Sequence, residues 1–212
     1  MPASDHQLAL ARAASASVVD AAGAVPLRAW LDGASVPLGL VVDADLRWRL
    51  LTDLARVGAA QPADVEAERK RDATATGAEK AAGALAAMKR ADTKADAWRR
   101  AVADDTPNET HAQVCAQFVQ FDQDELLAPY ADRYLDVVSA IAAGTDGWAE
   151  RSATIRQHVL TLLFPRPLAD RAYLDRVRAW LDAEQPNDFV RRLVSERVDD
   201  AERALRCQEA SR

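Results

Sequence analysis

The sequence predicts an all-α fold: an irregular right-handed superhelix of antiparallel helix pairs, like HEAT or armadillo repeats. Three observations carry this. Alanine makes up roughly a fifth of the 212 residues and glycine only 8, a mix that favours helix because alanine loses no side-chain entropy on entering one. The β-branched runs that strands need are nearly absent. Apolar residues recur at helical spacing almost from end to end, between Asp, Asn, Gly and Pro at start and stop positions. With 49% of its residues apolar, the chain can bury a core, and its length fits a single domain over 1–212.

The chain is organised around residues 42–94, but its elements begin earlier. Ser4 to Gln7 form a capping box, after which Leu8, Ala11, Ser15, Val18 and Val19 mark one face of a helix to about Gly23. Pro26 starts a short helix with Leu27, Trp30 and Leu31 that ends at Gly33. Residues 36–42 are apolar and read as a loop laid on the bundle. Asp43 then caps a helix whose inner face is Leu46, Leu50 and Leu54, with Leu51 and Val57 beside them. Arg47, Arg49, Asp53 and Arg56 fall mostly on the other side. Gly58 ends this helix and Pro62 sits in the first turn of the next. The run 66–72 mixes both charge signs and reads as a solvated face.

Thr93 and Asp96 suggest another capping box, followed by Ala97, Trp98, Ala101 and Val102 as a buried face. Asn108 caps a helix bearing His111, Val114, Cys115 and Phe118. Asp122 and Glu125 open a long helix with Leu126, Leu127, Tyr130, Tyr134, Val137, Val138 and Ile141 inward, ending at Gly144. Pro129 lies inside it and predicts a kink or restart. Thr145 or Asp146 caps a helix with Trp148, Ile155, Val159, Leu162 and Leu163, stopped by Pro165 and Pro167. Tyr173, Leu174, Val177, Trp180 and Leu181 define the next. Asn187 caps the last, with Val190, Val194, Val198, Ala201 and Leu205 inward. A weak repeat runs through this half. Ala97-Trp98 followed by Pro107-Asn108 recurs as Ala179-Trp180 followed by Pro186-Asn187, at an offset of 82 residues. That is two units of roughly 41, the period of stacked helix pairs.

Composition excludes several functions. The formal net charge is −6 with both signs interspersed. No window forms the basic stripe that nucleic-acid binding needs. No apolar stretch approaches a membrane span, and no signal peptide is visible, so a cytoplasmic location is expected. Cys115 and Cys207 are far apart and read as free thiols.

The search for chemistry nominates no catalytic and no metal-binding residue. The three histidines lack a His or acid partner at metal spacing; His111 with Cys115 four residues on makes at most half a soft-metal site. The five Trp sit among Leu and Val at helical spacing and read as core. No GxSxG, Walker or GxGxxG motif is present.

Six phrases carry a resemblance across essentially the whole chain: SDHQLALARA, WLDGASVPLGLVVDADLRWRLLTDLARVG, AERKRDATATG, KADAWRRAV, QFVQFDQDELLAPYADRYLD and RRLVSERVDDAERALR. In this order they resemble the last part of the ERAP1-like C-terminal helical domain of the bacterial aminopeptidase N group, in the M1 metallopeptidase family. The resemblance implies a zinc-dependent aminopeptidase that removes N-terminal residues from peptides. Its HExxH zinc motif belongs to a separate catalytic domain of the same polypeptide, so no catalytic or zinc-binding role carries over to any residue here. The helical domain is expected to cap the catalytic cleft and wall a substrate chamber, with Arg47 and Arg49 as candidates to face it and attract a peptide carboxylate. On this reading the chain is a non-catalytic fragment, with an exposed apolar patch near its first helices. The alternative is a free-standing helical-repeat module that binds a protein partner.

Overall fold

The computed structural model describes residues 5–211, so the expected cap Ser4 lies outside the described residues. Among them are eleven α-helices and no strand: α1 (Asp5–Ala16), α2 (Val25–Leu31), α3 (Ala44–Arg56), α4 (Pro62–Arg71), α5 (Ala75–Ala87), α6 (Ala91–Val102), α7 (Asn108–Phe118), α8 (Asp124–Ala143), α9 (Ala153–Leu162), α10 (Arg171–Glu184) and α11 (Asp188–Ala210). The all-α class read from the sequence is correct.

The helices pair and stack. From α1 to α11 each odd-numbered helix packs on the next odd one, directly from α3 onwards and with α1 against α3, so these form one layer. On the other side α4 lies against α5, α6 against α7 and α8, and α8 and α10 against α11. The repeated phrases occupy equivalent places in this stack. Trp98 is in α6 and Trp180 in α10, and each Pro-Asn pair stands at the start of the following odd helix. The offset of 82 residues is therefore two helix pairs.

The centre of the stack is α5, with sequence ATGAEKAAGALAA. Its small residues let α3 and α7 come close on either side: a methyl group added at Gly83 would lie 3.3 Å from Gln113 of α7. Ala81, Ala84 and Met88 belong to one buried cluster with Leu46, Leu50, Leu51, Leu54 and Trp48 of α3. Ala82 and Ala86 belong to a second, larger cluster that runs through Trp98, Phe118, Tyr134 and Phe164 to Val198.

The odd helices α3, α5 and α7 run parallel, because their C-terminal ends are tied together. The Gln123 side-chain amide donates to Arg56 O and to Ala87 O, both at 2.9 Å. The fully buried Lys94 donates to Ala86 O at 2.7 Å and Phe118 O at 2.5 Å. These bonds satisfy end carbonyls that have no partner within their own helix.

Local chemistry explains most boundaries and corrects others. Asp43 caps α3 by accepting the Leu46 N–H at 2.9 Å, and Gly58 ends it with φ +78°. The Ala59 N–H returns to Leu54 O at 2.8 Å, completing a Schellman motif. Asn187 caps α11 as expected. By contrast α1 stops at Ala16, well before Gly23. Arg56 donates to Ala16 O and Val18 O, and Asp20 takes the Gly23 N–H, so residues 17–24 turn away. Helix α6 begins at Ala91 and already contains Thr93 and Asp96. Thr93 Oγ1 donates back to Arg90 O, and Asp96 pairs with Arg99 and Arg100. Asn108 is the first residue of α7, with Pro107 at the cap. Asp122, at φ +60°, stands in the turn before α8. Helix α8 runs through Pro129 without a restart. Ser152 caps α9, and Trp148 precedes the helix because Asp146 and Gly147 hold positive φ.

Two charged groups read as solvated are inside. Asp53 is buried, and Glu68 in the run 66–72 is 6% exposed, with Val65 buried beside it. Near the first helices, where an exposed apolar patch was expected, Leu10, Val19, Val25, Leu38 and Val41 are each more than half exposed.

Candidate functional site

The largest concavity is a groove of about 630 Å³ on the odd-helix layer, bounded by α1, α3, α5 and α7. Gly83 and Ala84 of α5 lie on its floor. Along one wall stand Gln113 and Gln117 of α7 and Gln120, which lies two residues past its end. On the other side stand Arg12, Arg49, Arg56 and Lys80 with Asp45 and Asp53. The rim carries Phe121, 67% exposed. Four cations against two carboxylates leave the groove with a positive surplus.

Asp53 organises the cationic side. Its carboxylate accepts from Ser15 Oγ of α1, and it accepts from Arg49 Nε at 3.1 Å and pairs with Arg56. Lys80 pairs with Asp45 and holds that carboxyl below its usual range. Arg12 has no hydrogen-bond or ion-pair partner among the described residues.

The two arginines singled out in the sequence go to opposite sides of α3. Arg49 lines the groove with about half of its side chain exposed. Arg47 is turned away into a buried pair. Its Nε and Nη2 donate to the two Glu68 oxygens at 2.7 and 2.6 Å, and Nη1 donates to Leu31 O at 2.7 Å. The bonds to Glu68 raise the guanidinium above its ordinary value. Between them Trp48 is buried, its indole N–H donating to Asp72 at 2.8 Å. Sequence reading missed Arg12, Lys80 and the glutamines. The glutamines do carry a signal: 113, 117 and 120 fall on one helical stripe, opposite the buried stripe of Val114, Cys115 and Phe118.

A second polar cluster runs from the buried His111 to the half-buried His158. His111 of α7 and His158 of α9, 47 residues apart, meet with their Nδ1 atoms at 3.2 Å. His111 Nε2 bonds Ala101 O of α6 at 2.9 Å. The Cys115 sulfur lies 3.7 Å from both ring nitrogens of His111, and burial pushes its thiol pKa far up. Among the described residues no group of three or more His, Cys, Asp or Glu is placed to hold a metal. No helix there is long and apolar enough to cross a membrane.

The family model for the ERAP1-like C-terminal domain matches residues 4–203. The chain belongs to that family. This ERAP1-like C-terminal domain is also 43% identical over 208 residues to a protein named Aminopeptidase N from Streptomyces lividans. The match takes in 98% of the chain but 24% of the relative, so the domain spans about a quarter of that protein's length.

Proposed function

We propose that this ERAP1-like C-terminal domain caps the catalytic cleft of a zinc-dependent aminopeptidase and forms one wall of its substrate chamber. The enzyme removes N-terminal residues from peptides in the cytoplasm; this part catalyses nothing itself. Zinc and the reacting groups belong to a catalytic domain of the same polypeptide, against which this one docks.

The observation that supports this reading is the groove. It is wide and partly polar, and a layer of stacked helices offers such a surface as a binding wall. Its glutamines supply both donors and acceptors, which a peptide backbone needs. Arg49 and Arg12 attract a peptide carboxylate. Arg47, closed in its pair with Glu68, acts on shape alone. A lid of this kind excludes water and bulky competitors from the cleft.

The test is hydrolysis of an aminoacyl anilide and of longer peptides, with metal content measured on the same samples. The purified chain is expected to show neither turnover nor stoichiometric zinc. Adding it to the catalytic domain should change KM for long peptides more than for the anilide. Zinc-dependent turnover by the chain alone, surviving further purification, would overturn the reading. Unchanged peptide kinetics on addition would instead favour a free-standing interaction module.

A further inference from the structure

The His111–His158 pair has a geometry that decides what the two rings exchange. The ring centroids are 5.4 Å apart and the planes differ by 23°. That separation is nearly the 3.2 Å nitrogen gap plus the two ring radii, so the Nδ1 atoms point at each other head-on. A shared metal ion would need their lone pairs to converge at an angle instead. Cys115, equidistant from both nitrogens of His111, sits over the ring face rather than in line with a lone pair. A linear N–H···N bond fits these facts.

The tautomers follow. Ala101 O can only accept, so His111 carries its proton on Nε2 and presents a bare lone pair at Nδ1. His158 must then donate from Nδ1, leaving its Nε2 as the basic atom. Because Ala101 is in the last turn of α6, this bond also satisfies an end carbonyl of that helix. One imidazole thus joins α6, α7 and α9.

We propose that the His111–His158 pair is an acid-operated latch between α7 and α9, which accepts one proton without opening and opens on the second. The first proton enters at His158 Nε2, leaves the inter-ring bond in place and makes it charge-assisted. The second has to enter at His111 Nδ1. It would set two N–H groups and two positive charges against each other at 3.2 Å, so the contact breaks.

The surroundings set this order. Burial lowers both imidazoles below the ordinary value. Glu109 of α7 works the other way at His158, which is the more exposed of the two. Arg151, in the turn before α9, adds a positive charge against protonation of His111. From α6 the pair meets only the Ala101 carbonyl, and the Cys115 thiol stays neutral. Neither α5 nor α11 brings a charged group into play on either ring. The native state therefore binds fewer protons than the unfolded chain just below the ordinary imidazole range, and stability is lost as pH falls through it. Because α7 walls the groove, opening the latch loosens that wall.

Nitrogen NMR of the labelled 212-residue chain tests this, read beside amide exchange at pH 7.5 and at successively lower pH. The expected result at pH 7.5 is protonated Nε2 on His111 and protonated Nδ1 on His158, the opposite tautomers. As pH falls, His158 should titrate first with exchange unchanged; titration of His111 should then speed exchange in α7, α9 and the end of α6. His158→Asn removes the first charge and can turn its amide oxygen to a protonated His111 Nδ1. It should therefore uncouple exchange in α7 and α9 from the titration of His111. Finding His158 protonated at Nε2 and bare at Nδ1 at pH 7.5, or exchange in α7 and α9 indifferent to titration of His111, would overturn the proposal.

Discussion

Arg47 and Lys94 put charge inside the stack in two different ways. Arg47 has a full counter-ion in Glu68, and both groups are largely out of water. Removing one partner leaves the other buried and unpaired, at a cost of about 3 kcal/mol. Glu68→Gln should therefore lower the free energy of denaturant unfolding by about that much, and Arg47→Met with Glu68→Leu together by less than either alone. Equal losses in single and double variants would show that the pair does not act as a unit. Lys94 has no carboxylate, only two carbonyls and the Phe118 ring at 5.2 Å. Burial pushes its pKa down to about 7 from 10.5. Between those values the unfolded chain holds a proton the native state has released, so stability from this group rises with pH across that window. Lys94→Met should flatten the pH dependence of the unfolding free energy there. The sequence reading put Arg47 and Arg49 on one side of α3, although residues two apart lie about 200° apart on a helix. It gave no hint that Glu68, in a run of mixed charges, was the partner.

Helix α5 is set by small residues, and its two internal glycines are not equivalent. A methyl at Gly77 would lie 2.2 Å from the Asp72 carbonyl oxygen, which is backbone and cannot step aside. Gly77→Ala should cost about 2 kcal/mol and disturb Trp48, whose indole Asp72 holds. Its emission spectrum reports that. At Gly83 the nearest atoms are 3.3 Å away on Gln113, and the gain in helix propensity, about 1 kcal/mol, offsets the crowding. Gly83→Ala should be close to neutral in thermal denaturation. Element types were readable because alanine content and apolar spacing agree along the chain. Boundaries were readable where a side-chain oxygen had no competing partner, as at Asp43 and Asn187. They failed at Thr93 and Asp96, where the same letters that make a cap serve as a helix-interior back-bond and an ion pair. The groove was half legible: Arg49 and the glutamine stripe are in the pattern. Arg12 and Lys80 enter it only through packing of α1 and α5 against α3, distant in sequence.

At the scale of the molecule, the layer of odd helices makes the groove, and the first helices leave apolar side chains in water. Such an arrangement suits a part that docks against another body, as the proposed cap does. It also has a consequence for how the molecule comes apart. The two buried clusters share one wall, since α5 gives Ala81 and Ala84 to one, with Met88 at its end, and Ala82 and Ala86 to the other. Neither can melt while the other keeps that helix. Scanning calorimetry of the chain should show a single peak whose calorimetric and van't Hoff enthalpies agree. Two resolved peaks would mean that each half survives the loss of its common wall.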